Sequence, residues 1–100
     1  MKPFKRAEHS SHAAFFKALG HPTRLWIVRQ LADGKEQCVC EFVDEAKVDF
    51  STISQHLSIL KQARILVDDK RGKSVYYTLA CPCIAGLLDC LDNRLEKEIK

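Results

Sequence analysis

Residues Ser51–Leu66, STISQHLSILKQARIL, and Lys70–Leu79, KRGKSVYYTL, carry two different periodicities within one short span. Ile53, Leu57 and Leu60 recur at i, i+4 and i+7, the apolar stripe of a helix, which leaves Thr52, Gln55, Ser58 and Gln62 outward. Asp49-Phe50-Ser51 offers side-chain oxygens to cap that helix, which is expected to run to about Ala63. Then the period changes. Ile65-Leu66-Val67 is β-prone, Asp68 to Lys73 is a polar turn, and Val75-Tyr76-Tyr77-Thr78-Leu79 is β-prone again. The pattern predicts a hairpin with a basic tip directly behind a helix whose outer face is hydroxyl and amide.

Upstream, residues 9–20 read as a helix with Phe15, Ala18 and Leu19 on one side and Gly20 as its stop. Pro22 fits the first turn of a second helix, where its missing N–H costs nothing, and Leu25, Ile27, Val28 and Leu31 form the buried stripe. Asp33-Gly34 ends it, and a short third helix covers about 39–46. Downstream, Pro82 starts a last helix over 83–98 with Ile84, Leu88, Leu91 and Leu95 at spacings of four, three and four, widened by Leu87. The expected fold class is mostly α with a small β-hairpin wing, a winged helix-turn-helix.

The chain has 100 residues, which is room for one domain spanning 1–100. It is 46% hydrophobic and 29% charged, so it is globular material rather than a disordered tail. The apolar run Ala13–Phe16 is too short for a signal-peptide core or a membrane span. That points to the cytoplasm, with no membrane partner, and makes the five cysteines thiols rather than a disulfide framework. Charge is uneven: residues 51–79 carry five basic and two acidic groups, whereas 35–50 carry two and five. A basic surface over the helix and hairpin suits a polyanion.

In a winged helix-turn-helix the second helix lies in the major groove and its polar face meets base edges. Small hydroxyls and amides hydrogen-bond phosphates and bases without bulk, and Lys61, Arg71 and Lys73 are placed to meet phosphate. The partner expected is therefore double-stranded DNA. His56 can touch a phosphate or serve as a half-buried structural histidine beside Leu57. His9 and His12 resemble an HxxH metal pair, but near a frayed terminus with no third ligand they read as surface residues, and His21 reads as part of the next helix's start.

Phe16–Leu31, FKALGHPTRLWIVRQL, resembles the opening of the ArsR family of bacterial metal- and metalloid-responsive repressors. Ser51–Leu66 is similar to that family's recognition helix and Lys70–Leu79 to its wing, so the resemblance spans about residues 12–80. It implies a homodimeric repressor that leaves its operator when an inducer binds. It also implies Ser51, Thr52, Ser54, Gln55 and His56 as recognition-helix positions, with Arg71 and Lys73 on the wing. Ala63-Arg64 stands where the family usually has Ala-Gly. A left-handed exit there would cost a non-glycine residue about 1 kcal/mol.

Gln37–Phe42, QCVCEF, resembles the CVC element of the family's arsenical sensors, in which the pair and a further cysteine hold As(III) or Sb(III) through three sulfurs. The third cysteine often lies three residues beyond the pair; here that position is Val43. Cys81, Cys83 and Cys90 are the remaining thiols, and Cys83 and Cys90 fall on roughly one helix face. The positive end of the macrodipole is expected to make Cys81 and Cys83 partly thiolate near neutrality. Thiolates select soft ions, so Cd(II) and Pb(II) are alternatives, whereas the last helix lacks the histidines that zinc-sensing relatives place there. Were Cys38 and Cys40 both helical they would diverge by roughly 200°, while two sulfurs on one ion must sit within roughly 4 Å. Inducer binding therefore unwinds the first turn of helix 39–46. A redox switch joining Cys38 or Cys40 to Cys81 or Cys83 by a disulfide is the other reading of the same thiols. Cys90, between apolar neighbours, also reads as a small buried hydrophobe.

Two apolar stripes, on helices 9–20 and 83–98, exceed what one small core can absorb, so pairing through the first and last helices of two copies is expected. An enzyme is not expected. There is no CxxC in a βαβ setting, no phosphate-binding glycine loop and no metal-hydrolase signature, hence no small-molecule substrate and no organic cofactor.

Overall fold

The computed structural model describes residues 2–99. Helix α1 spans Arg6–Leu19, α2 Pro22–Gln30, α3 Val39–Ala46, α4 Phe50–Gln62 and α5 Cys83–Ile99; strand β1 is Gln37–Cys38, β2 Leu66–Arg71 and β3 Ser74–Leu79. These form the winged helix-turn-helix that the alternating periods predicted: α3 and α4 are the helix pair and β2–β3 the wing.

Local chemistry places the boundaries. His21 caps α2, its Nδ1 accepting from the Thr23 N–H at 3.1 Å, with Pro22 in the first turn. The Asp49 carboxylate caps α4, accepting from the Thr52 N–H at 3.2 Å and from the Thr52 and Ser51 hydroxyls at 2.7 and 3.0 Å. Those bonds hold the Asp49 carboxyl below its ordinary pKa. Helix α4 ends with Arg64 in the left-handed region at φ 64°, and the Ile65 N–H reaches back to the Leu60 carbonyl at 2.9 Å. This is a Schellman-type stop made without glycine.

The core joins Ala18 and Leu19 of α1, Ile27, Val28 and Leu31, Phe42 of α3, Ile53, Leu57 and Leu60 of α4, then Ile65, Leu66, Ile84 and Leu88. Every apolar position of the α4 stripe is fully buried. The last helix behaves differently. Ile84 and Leu88 enter the core, but Leu87, Leu91 and Leu95 stay 43, 42 and 50% exposed, and Phe16 of α1 is 58% exposed. One chain leaves these stripes uncovered. Arg29 and Asp92 form a bidentate pair, both contacts at 2.7 Å, that ties α2 to α5.

Two features differ from expectation. The wing strands run into the polar stretch, Arg71 pairing with Ser74, so the turn is only Gly72-Lys73 with Gly72 at φ 61°. Strand β2 is exposed at every position after Leu66, so it has no apolar alternation for the sequence to display. Second, Gln37–Cys38 is a strand, pairing with Tyr77 and Tyr76 of β3 to give the sheet order β1-β3-β2. Buried Gln37 donates to Glu45 of α3 at 3.1 Å, which fastens the strand to the helix that follows it. No helix among the described residues is long and apolar enough to cross a membrane.

Candidate nucleic-acid interface and thiol sites

Helix α4 presents Ser51, Gln55, Ser58 and Gln62 to solvent, with Thr52, Ser54 and His56 half-buried at its margins. The hydroxyls of Ser51 and Thr52 both donate to Asp49, so they face a groove as acceptors beside a carboxylate. His56 is turned inward. Its Nδ1 accepts from Arg24 Nε at 3.1 Å and its ring lies 4.5 Å from that of His21. Burial first, then the nearby His21 and Arg24 charges, depress its pKa. Of its two sequence readings, the structural histidine is the one the geometry matches: it joins α4 to the start of α2.

The basic residues are placed less freely than the sequence implies. Lys61 Nζ donates to Asp68 of β2 at 2.8 Å. Arg71 pairs with Glu36 through two bonds of 2.7 and 3.0 Å, with Asp69 at 2.9 Å, and lies 4.8 Å over the Tyr76 ring. Lys73 is exposed in the wing turn. So Lys61 and Arg71, expected to meet phosphate, stand in ion pairs within the chain. Glu36 is the Arg71 partner that local reading missed. It lies thirty-five positions from Arg71, and only the β1–β3 pairing brings them together.

At the first thiol pair, Cys38 is the residue before α3, in extended conformation at φ −92° and ψ 166°, and Cys40 is exposed in the first turn. The helix begins at Val39, as the sequence predicts, and Cys38 precedes it in a strand paired with Tyr76. Glu41 replaces the missing cap by reaching back, its Oε1 accepting from the Cys38 N–H at 3.3 Å and from the Cys38 thiol at 3.4 Å.

The second pair lies elsewhere. Cys81 and Cys83 flank Pro82 at the start of α5, their sulfurs 2.6 Å apart. Their expected thiolate character is corrected for Cys83, because its hydrogen bond to Cys81, with burial second, raises its pKa. Cys90 is exposed, not a buried hydrophobe. Cys38 sits opposite Tyr76, whereas Cys81 follows five residues later, beyond the point where Ala80 bonds Ile65. Five extended residues are roughly 16 Å, about four times the sulfur–sulfur spacing on one ion. In this conformation Cys38 therefore does not adjoin Cys81 within one chain. Among the described residues, no three His, Cys, Asp or Glu side chains converge as a metal site.

Comparison with known proteins agrees with this architecture. Residues 21–67 match the profile described as bacterial regulatory protein, arsR family. An uncharacterized HTH-type transcriptional regulator of Methanocaldococcus jannaschii is 38% identical over 86% of this chain and 97% of its own length. The arsenical resistance operon repressor of Escherichia coli K12 is 40% identical over 83% of this chain and 73% of its own. Among solved structures, a winged helix-turn-helix DNA-binding domain of Mycobacterium bovis, described as homodimeric, superposes with a TM-score of 0.81 at 23% identity, covering 100% of this chain and 94% of that one. Fold and family are those of DNA-binding transcriptional regulators, which are not enzymes. The helix pair, the wing and these sequence relationships together place the chain in the arsR family of bacterial regulatory proteins.

Proposed function

We propose that this chain is a homodimeric repressor that leaves its operator when a soft metal(loid) ion, As(III) or Sb(III), is taken up by Cys38 and Cys40. The observation that carries the reading is the position of Cys38. It is at once the last residue of β1, the thiol that Glu41 accepts from, and the entrance to the helix packed on α4. The similarity to an arsenical resistance repressor supports the choice of ion. Cd(II) and Pb(II) suit the same donors.

The donor chemistry fits such an ion, with two sulfurs supplied by this segment and further ligands from outside it. A ligating cysteine is a thiolate. Once Cys38 loses its proton it has no hydrogen to offer Glu41, and sulfur and carboxylate become like charges 3.4 Å apart. Glu41 must swing away, and the Cys38 N–H loses its acceptor. The first turn of α3 then frays, and fully buried Phe42, two residues past Cys40, shifts in the core it shares with Ile53 and Leu57 of α4. The recognition helix moves with it. A 100-fold loss of operator affinity needs about 2.7 kcal/mol of differential binding, a scale that metal–thiolate bonds readily reach.

On the DNA side, Ser54, Gln55 and the acceptor oxygens of Ser51 and Thr52 would meet the major groove, with Lys73 on backbone phosphate. The uncovered Phe16, Leu87, Leu91 and Leu95 form the surface through which two copies would pair. The deciding experiment titrates As(III) into the operator complex. Wild-type protein dissociates, and Cys38→Ser and Cys40→Ser proteins remain bound. Release of either variant at the wild-type As(III) concentration would refute the reading.

A further inference from the structure

We infer that Cys81 and Cys83 are a second, self-contained thiol site: a dithiol that closes reversibly to its own disulfide by exchange with a low-molecular-weight disulfide. Four observations carry this. The sulfurs lie 2.6 Å apart, nearer to a covalent disulfide, about 2.05 Å, than to the roughly 4 Å of two ligands on one ion. The backbone already holds the turn, since the Ile84 N–H bonds the Cys81 carbonyl at 3.2 Å and the Ala85 N–H bonds the Pro82 carbonyl at 3.1 Å. Pro82, between the two, fixes its own φ and removes freedom that ring closure would otherwise have to restrict. Access is open at Cys83, which is exposed, while Cys81 is half-buried.

The other thiols are out of reach. Cys38 and Cys40 lie on the far side of the β3 register described above. Cys90 is seven residues up the helix, an axial rise of roughly 10 Å, which exceeds the Cα separation of about 7 Å that a disulfide tolerates. The site uses none of the residues of the proposed inducer pair, so the two readings stand or fall separately.

The chemistry balances as two exchanges. The exposed Cys83 thiol first gives its proton to solvent, a step its hydrogen bond with Cys81 disfavours, and the thiolate so formed attacks one sulfur of the external disulfide and expels the first small thiolate, leaving a mixed disulfide. Cys81 then attacks the Cys83 sulfur, closes the Cys81–Cys83 bond and expels the second. Both cysteines are oxidised, the external disulfide is reduced to two thiols, and the protons of the cysteines end on those thiols. The location gives the step a structural address. Cys81 also lines a groove of about 430 Å³ with Ser11, His12, Phe15 and Phe16 of α1 and with Ala63 and Arg64 at the recognition-helix exit.

Tryptic digestion separates the two pairs, because cleavage after Lys35 and Lys47 isolates Cys38 and Cys40, and cleavage after Lys73 and Arg94 isolates Cys81, Cys83 and Cys90. Intact protein is equilibrated in an oxidised/reduced glutathione buffer, free thiols are alkylated, and the digest is weighed. The expected result is that peptide 74–94 loses two hydrogen atoms and carries one alkyl group, on Cys90. The loss persists in Cys38→Ser/Cys40→Ser protein, reverses with dithiothreitol, and vanishes in Cys81→Ser and in Cys83→Ser. Three outcomes overturn the inference: full alkylation of peptide 74–94 in oxidising buffer, a disulfide joining peptide 36–47 to 74–94, or a loss that survives Cys83→Ser.

Discussion

Replacing Glu36 by Gln isolates the contribution of the wing arginine. In the free protein Arg71 is held by Glu36 through two bonds and by Asp69 through a third, so the three side chains carry a net charge of −1 where a phosphate would approach. The Arg71 guanidinium keeps Glu36 ionised by holding its carboxyl below the usual range. Both side chains are about half exposed, 51 and 41%, so the pair adds little to folding but competes directly with DNA. Glu36→Gln removes one carboxylate, leaves the amide able to hydrogen-bond, and leaves Arg71 with Asp69 alone to compete with a phosphate in each subunit of the proposed dimer. Each phosphate neutralised adds about 0.9 to the magnitude of the log K against log salt slope, so a dimer gains about 1.8. Between about 50 and 200 mM salt the variant should therefore lose roughly tenfold more affinity than wild type, starting from tighter binding at the low end. Fluorescence anisotropy with a labelled operator duplex measures this, and Glu36→Gln in an Arg71→Ala background should show no steepening. Parallel salt plots for wild type and Glu36→Gln, or steepening that persists without Arg71, would refute the reasoning.

Two further outcomes follow from the same geometry. Arg64→Gly should stabilise the fold, because Arg64 sits at φ 64° in a turn closed by the Ile65–Leu60 bond. Relief of about 1 kcal/mol of left-handed strain, less the entropy glycine adds to the unfolded chain, raises the melting temperature by a few degrees; Arg64→Ala, which keeps the strain, should not, and an unchanged Arg64→Gly melt rejects the account. His56 is held below the ordinary imidazole pKa by burial, with His21 and Arg24 adding to the effect. Its neutral form is the one the fold favours, so its stabilisation is complete above about pH 6.5 and is lost as pH falls through the lowered folded value. Thermal melts from neutral to mildly acidic pH should fall less steeply in His56→Gln than in wild type, and identical slopes would count against this.

The elements legible from residues alone are those whose signal is local. Ile53, Leu57 and Leu60 mark α4 because each must face one core, and all three are fully buried. Asp49 marks its start because a helix leaves N–H groups that a nearby oxygen must accept, and the carboxylate does so. The change from a helical stripe to β-prone runs located the wing, whereas Ala63-Arg64, in place of Ala-Gly, left the helix exit open, and the structure puts Arg64 at φ 64°. The Cys38/Cys40 and Cys81/Cys83 pairs were visible as spacings.

What the sequence by itself determined, then, is the order of elements, the core face of each helix and the supply of thiols and hydroxyls. Tertiary structure decided who is whose partner. Gln37–Cys38 is a strand only because β3 lies alongside it, and that pairing sets Cys38 opposite Tyr76 and brings Glu36 to Arg71. Arg71 and Lys61 read as cations for phosphate until residues 35 and seven positions away occupy them. The physical reason is range: caps, turns and stripes are settled within a few residues by backbone hydrogen bonding and burial, whereas strand pairing and ion pairs join groups whose proximity exists only after the chain has closed on itself.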